Sequence, residues 1–241
     1  MSVHRYTEPD PGRAAIACAH HILARLEEAL AGHEIATFAI SGGSSPKLIF
    51  VQLAQSDFDW SKVHLFWVDE RCVPPYDEQS NFRMADRTFI ASSGIPRRNV
   101  HRVYTELRPD RAAERYAEDI REVFAIAADE VPSFDLIHLG MGPDGHTASL
   151  FPGEPLVEDR DRITAAVYIR KMAQWRVTLM PSVLLAARHT VVFAPGADKA
   201  ETTRAVFESE FNPLELPAQI PAHLARGVAW FMDSAAAALL A

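Results

Sequence analysis

The segment GMGPDGHTASLFPG, residues 140–153, holds the residue types best suited to moving a proton near neutral pH. Asp144 and His146 stand two residues apart, with glycines at 140, 142 and 145 around them. Histidine has the ordinary pKa closest to neutrality, which makes His146 the first candidate for a general base. A carboxylate two residues away can orient the ring and stabilise an imidazolium. Thr147 and Ser149 are expected to cap a following helix. A structural histidine in a turn is the plainer alternative. His138, inside the apolar run FDLIHL, reads as a core residue instead.

Two more polar segments follow apolar runs. Ser41, Gly42, Gly43, Ser44 and Ser45 come after IATFAI and lead through Pro46 into a helical pattern. Adjacent glycines let the backbone approach a ligand, and two N-cap-type serines precede the helix. Free N–H groups and the helix dipole make such a turn an anion seat, with phosphate as its natural guest. The text matches neither the dinucleotide-binding nor the P-loop glycine pattern, and a plain strand-to-helix turn would look the same. The second segment is Asp69-Glu70-Arg71 after VHLFWV, with Ser80 and Asn81 downstream. Carboxylates there are costly to bury unless paired or engaged by a ligand, and Arg71 offers a forked donor suited to phosphate. A solvated loop edge is the alternative. Toward the C-terminus, Arg176 and Lys199 are cations that can reach an anion, although a single lysine so placed reads equally well as solvated helix surface. No G-x-S-x-G, no H-E-x-x-H and no metal-ligand spacing occurs in the sequence, so a metal-free, cofactor-free hydrolysis with a histidine base fits the pattern.

The elements that must position these residues alternate along the chain. Asp10 and Pro11 read as N-cap and first helical residue of a helix over 10–31, with Ile16, Leu23, Leu26 and Leu30 at helical spacing and Gly32 as its stop. His20 and His21 fall on its solvated face. Strands are predicted at 35–40, 63–68, 134–139, 163–169, 190–194 and 227–232, and helices after Pro46, near 81–90, at 109–128, around 181–187 and from about Asp198. A small Ala-rich helix is expected after the last strand. Apolar β-runs alternating with helices imply a mostly parallel, Rossmann-like sheet covered on both faces, a three-layer α/β/α arrangement. No linker, composition break or repeat divides the chain, so residues 1–241 read as one domain. In such sheets ligands bind beyond the C-terminal strand ends, where the three polar segments fall.

Composition narrows the function classes. The 241 residues are 48% hydrophobic, with 24 Lys and Arg against 32 Asp and Glu, a formal net charge of −8. Disorder is excluded, and the scattered cations give no nucleic-acid or membrane-surface footprint. Two cysteines make no disulfide framework, and neither a signal-peptide pattern nor an 18-residue apolar run is present, so the cytoplasm is expected. An acidic chain can still bind an anionic metabolite, but only by concentrating a few cations locally.

On SGGSSPKL (41–48), VDERCVPPYDEQSNFRMA (68–85), GMGPDGHTASLFPG (140–153), RVTLMPSVLLAARHTVVFAPGADKAE (176–201) and PAHLARGVAWFMDSAAA (221–237), the sequence resembles the 6-phosphogluconolactonase family, within the wider group that includes glucosamine-6-phosphate deaminases. Departures are small: Ser45 stands where the family usually has Thr, and Met180 removes a hydroxyl. The deaminase relatives carry DEY for Asp69-Glu70-Arg71 and GHIAFNEPG-like text for GHTASLFPG, and both differences favour the lactonases. The resemblance implies hydrolysis of a small-molecule sugar-phosphate lactone, 6-phospho-D-glucono-1,5-lactone, in the oxidative pentose phosphate pathway, without cofactor or metal, by a monomer or weak homo-oligomer. It implies His146 as the base, Asp144 and Asp69 as groups orienting the base or the sugar hydroxyls, and the 41–45 turn with Arg71, Lys199 and Arg176 as the phosphate site, with Asn81 grouped among the binding residues.

Overall fold

Each long apolar run forms a strand whose alternate side chains enter two different cores. In the computed structural model, which describes residues 3–241, the elements are β1 (Val3–Glu8), α1 (Pro11–Gly32), β2 (Ala36–Ile40), α2 (Ser44–Ala54), β3 (Val63–Trp67), β4 (Asp69–Arg71), α3 (Asn81–Ala85), α4 (Ala91–Ser93), β5 (Val100–His101), α5 (Pro109–Phe124), β6 (Leu136–Gly140), β7 (Thr164–Ile169), β8 (Gln174–Leu179), α6 (Pro181–Ala186), β9 (His189–Phe193), α7 (Ala200–Glu208), α8 (Gln219–Leu224) and β10 (Val228–Asp233). Seven strands make one parallel sheet in the order β1-β10-β9-β6-β2-β3-β5. On one face Phe38, Ile40, Leu65, Trp67, Val191, Phe193 and Phe231 pack with α1 and α2. On the other, Ala39, Phe66, Ile137, Val192, Trp230 and Met232 pack with α5, α6 and α8. This is the three-layer α/β/α fold, and the period-2 split of the strand residues is its cause.

The N-cap prediction at Asp10 holds: its side chain accepts from Arg13 N at 2.9 Å, and α1 ends at Gly32. The buried stripe of α1 is Ala14, Ala15, Cys18, Ala19, Ile22 and Leu26, whereas Ile16 is exposed. Five further expectations need correction. A three-stranded antiparallel sheet, β4-β8-β7, stands apart from the main sheet and takes the predicted strand at 163–169 together with Val177-Thr178-Leu179. The 81–90 helix continues through a π-turn at 86–90, and the 109–128 helix stops at Phe124, where Ala125 turns left-handed at φ 50°. Residues 234–239 form turns rather than an Ala-rich helix. Thr147 and Ser149 cap nothing, because no α-helix follows them and the 3-10 turn at Pro155–Val157 starts after Glu154. Thr147 Oγ1 donates to Gly140 O and Ser149 Oγ to Asp69 Oδ2, so both hydroxyls serve the loop and the site.

Tyr116 on α5 closes the end of β3. Its hydroxyl accepts from Trp67 N at 2.7 Å and donates to Trp67 O at 2.8 Å, two residues before Asp69. Both peptide groups are buried there, and an unsatisfied buried donor or acceptor is expensive. Tyr116→Phe is therefore expected to lower unfolding free energy by about 1–3 kcal/mol, read from urea unfolding with an unchanged m-value.

Candidate active site

The chain proceeds from β2 outward through β3 to β5, then returns to the opposite side of β2 as β6. The loops leaving β2 and β6 therefore diverge side by side, and a crevice opens between them at the C-terminal strand ends. Ser41 Oγ donates to His138 O at 3.1 Å and ties the two exits together. A cleft of roughly 200 Å³ lies there, lined by Ser41, Gly42, Gly43, Ser44, Ser45 and Pro46 after β2, by Gly140, Met141, Gly142, His146 and Ala148 at and after the end of β6, by Asp69, Arg71 and Arg176 of the small sheet, and by Phe193 and Lys199 at and beyond the end of β9. Of the residues expected from the sequence, only Asp144 and Asn81 do not line it.

Asp144 sits behind the histidine. Its Oδ1 is 2.5 Å from His146 Nδ1 and 3.3 Å from the His146 amide N. A carboxylate only accepts, so Nδ1 carries the proton and, in the neutral ring, Nε2 holds the lone pair. Gly142 makes this approach possible, because a Cβ there would stand 2.1 Å from His146 Nδ1 and 2.7 Å from Asp144 Oδ1. The ring stacks on buried Phe151 with centroids 4.1 Å apart. Burial, reinforced by Arg176, Lys199 and Arg71 and opposed by Asp69, pushes the His146 pKa down to about 4. The ring is thus neutral across the physiological range. His138, fully buried with its ring near Phe50, is pushed down to about 3 by burial and lies in the core, as its apolar context predicted.

The small sheet supplies charge. Asp69 is 6% exposed, accepts from Ser149 Oγ at 2.6 Å and lies 3.5 Å from Arg176 NH1. Ala148 reaches φ 52°, a left-handed conformation costly for a residue with a Cβ, as the chain turns toward that contact. In the β4–β8 register Arg71 stands directly opposite Arg176. Like charges so placed repel. Asp69 offsets part of this, and Arg71 NH1 donates to Gln79 O at 2.6 Å, but the buried Nε atoms of both arginines have no partner among the described residues.

Glu70 points away from the cleft. Its carboxylate accepts from the amides of Arg71, Asn81 and Phe82 and from Ser80 Oγ, over 2.7–3.1 Å, and so anchors the start of α3 to β4. Burial raises its pKa to about 7 against the pull of those amides. Asn81 is accordingly a buried strut rather than a lining residue. Its Nδ2 donates to Asp69 O at 2.8 Å, and its side chain fills the space where a Cβ on Gly42 would come within 1.9 Å. The serines of the 41–45 turn also differ from expectation. Gly43 is the N-cap of α2, no side chain caps the helix, and Ser44 and Ser45 lie in its first turn. The N-terminal amides of α2 thus face the cleft wall without a side-chain acceptor, beside Lys199, whose Nζ is paired with Asp198 at 2.7 Å.

Comparison with known proteins decides the family. Residues 9–230 match the family described as glucosamine-6-phosphate isomerases/6-phosphogluconolactonase. The chain belongs to that family. Within it, the chain is 36% identical over 199 residues to a 6-phosphogluconolactonase of Synechocystis sp., covering 82% of each protein. It is 39% identical over 178 residues to a human 6-phosphogluconolactonase, covering 73% of this chain and 67% of that protein. The solved 6-phosphogluconolactonase structure from Trypanosoma brucei superposes with a TM-score of 0.89 at 25% identity, over 100% of this chain and 99% of that one. The structure from Thermotoga maritima gives 0.82 at 27% identity, over 96% and 100%. No helix among the described residues is long and apolar enough to cross a membrane.

Three contributors to this family member's site escaped the sequence reading. Ser149 was placed as a cap, Phe151 as ordinary motif text, and Lys171 was passed over. Lys171 Nζ reaches Asp144 Oδ2 and lies 4.6 Å from the centre of the Phe151 ring. A lysine at a hairpin tip carries no signal distinguishing it from a solvated one; only the fold-back of β7 and β8 brings it to the loop after β6. A titration of the His146 ring by NMR is expected to find it neutral at pH 6 and protonating only toward pH 4. A midpoint at 6.5 or above would contradict the burial argument.

Proposed function

We propose that this protein is a 6-phosphogluconolactonase that hydrolyses 6-phospho-D-glucono-1,5-lactone to 6-phospho-D-gluconate. The observation that carries the reading is the meeting, in one cleft, of a carboxylate-oriented neutral imidazole with a cluster of cations beside an uncapped helix N-terminus. The names of the relatives support the same activity.

In this reading His146 Nε2 takes a proton from water as its oxygen attacks the lactone carbonyl carbon. The tetrahedral oxyanion then collapses, the bond from carbon to ring oxygen breaks, and the imidazolium returns its proton to that oxygen. Atoms and charge balance, and the product carboxylic acid ionises in water. Asp144 fixes the tautomer that the first step requires. Asp69, buried, with its side-chain bonds to Ser149 and Arg176 and not to the base, is assigned to the sugar hydroxyls. The 6-phosphate is assigned to the amides of the 41–45 turn with Arg71 and Lys199. The opposed pair Arg71 and Arg176 supports an anionic guest, because a dianion placed between them removes their repulsion. Binding the phosphate away from the reacting carbon uses remote contacts to hold the lactone in attack geometry.

Two variants separate these roles when lactone decay is followed against spontaneous hydrolysis, with unphosphorylated gluconolactone as control. His146→Ala is expected to lower kcat by about a hundredfold or more with KM little changed. Lys199→Ala is expected to raise KM by about tenfold or more while leaving most of kcat, because it removes a charge-assisted phosphate contact. Equal turnover of both lactones by the parent enzyme, or ammonia release from glucosamine 6-phosphate in place of lactone hydrolysis, would overturn the assignment.

A further inference from the structure

The β7–β8 hairpin projects its tip, residues 170–173, over the loop that carries the base. Lys171 there is half-exposed, yet its ammonium is committed to Asp144 Oδ2, while Asp144 Oδ1 takes both the Nδ1 and the backbone N–H of His146. The two oxygens of one carboxylate are thus divided between two elements distant in sequence. Phe151 lies beneath the arrangement: the His146 ring stacks on it, and Lys171 Nζ and the Arg176 guanidinium lie 4.6 and 5.7 Å from its centroid.

Asp144 held only by His146 would keep one oxygen free and its side-chain torsion unconstrained, at a position where 30% of the side chain is accessible. An anchored second oxygen removes that freedom. We propose that Lys171 is a positioning residue for the His146 base: by occupying Asp144 Oδ2 it fixes the carboxylate so that Oδ1 holds the ring in the Nδ1–H tautomer with Nε2 unprotonated. The charged groups around the ring are Asp144 on its own loop, Asp69 and Arg71 on β4, Arg176 on β8, Lys171 at the hairpin tip and Lys199 beyond β9. Removing the Lys171 charge leaves Asp144 uncompensated beside the ring, which favours the imidazolium and raises the pH at which the base is lost. The same change loosens the tautomer.

This inference rests on His146 acting as the base, and its test has a readout independent of turnover. Lys171→Met keeps the stem on Phe151 and removes the ammonium; Lys171→Arg restores a cation; Arg170→Ala, an exposed neighbour on the same hairpin, controls for loss of surface charge. Ring nitrogen shifts of His146 in the parent enzyme are expected to show Nδ1 protonated and Nε2 free. In Lys171→Met they are expected to show a mixed tautomer and a protonation midpoint moved to higher pH. With lactone, kcat is expected to fall about tenfold with KM nearly constant and the acid limb displaced upward, while Lys171→Arg recovers most of both. Unaltered nitrogen shifts and an unaltered pH profile in a folded Lys171→Met variant would overturn the proposal, as would an equal loss in Arg170→Ala. A tautomer change in a protein that does not hydrolyse the lactone would support the positioning role and refute the lactonase reading, so the two fail separately.

Discussion

The pairing of β2 with β6 is the constraint from which the site follows. Phe38 sits opposite Leu136 and Ala39 opposite Ile137, two strands nearly a hundred residues apart in sequence. The register is locked at its lower end by Thr37, whose amide and hydroxyl both donate to Asp135 Oδ2, at 2.9 and 2.8 Å, and whose hydroxyl accepts from Asp135 N. At its upper end Ser41 Oγ bonds His138 O. A slip of one residue would turn Phe38 toward the opposite face and separate the anion-type turn from the histidine loop. Because the chain continues from β2 to β3 on one side of this pair and from β6 toward β9 on the other, the loops leaving β2 and β6 cannot cover each other, and the space between them is the cleft.

Within that cleft the electrostatics are local. The chain carries −8 overall, yet the cleft wall holds Arg71, Arg176 and Lys199 against Asp69. Two of the cations come from the small sheet and the third from the turn after β9, and their repulsion is relieved by partners that differ in kind: a buried carboxylate, a peptide carbonyl and a neighbouring aspartate. None of these uses the full donor capacity of an arginine, whose five N–H groups exceed what one carboxylate or carbonyl accepts. The same cations, together with burial, keep His146 neutral. One arrangement therefore favours an anion in the cleft and a neutral imidazole beside it.

The sequence was most legible where a local rule decides. Strands with uniform apolar text, the Asp10 cap and the strand-end location of the polar segments follow from periodicity and capping chemistry. The small antiparallel sheet was not legible, because β4 is three residues of charged text, and its strand character comes from pairing with β8, more than a hundred positions away. β1, largely exposed and polar at the sheet edge, gave no apolar signal either. Ser149 and Thr147 carried the right capping chemistry but no α-helix followed them, so their hydroxyls turned to Asp69 and Gly140. Asn81 follows Asp69-Glu70-Arg71 closely in sequence and was grouped with the binding residues for that reason, but its side chain went to Gly42 and the backbone because Glu70 draws the start of α3 inward.

His138 and His146 show how little residue type alone determines. They lie eight positions apart, one in β6 and one in the loop that leaves it, and burial lowers the pKa of both. The His138 ring has no hydrogen-bond partner on either nitrogen among the described residues and packs against Phe50, so either neutral tautomer serves it equally. The His146 ring has a carboxylate on Nδ1, an aromatic floor and an open face on the cleft, so one tautomer is selected and the lone pair is left at Nε2. Desolvation by itself makes an imidazole neutral; it is the fixed acceptor on one side that directs the lone pair of the neutral ring into the cleft. That acceptor depends on Gly142 for room and on the hairpin of the second sheet for its other oxygen. The small sheet, joined to the seven-stranded one through Val68, which accepts from Leu179 N and donates to Ile40 O, is therefore bound up with the cleft through Asp69, Arg71, Arg176 and the Lys171 tip alike.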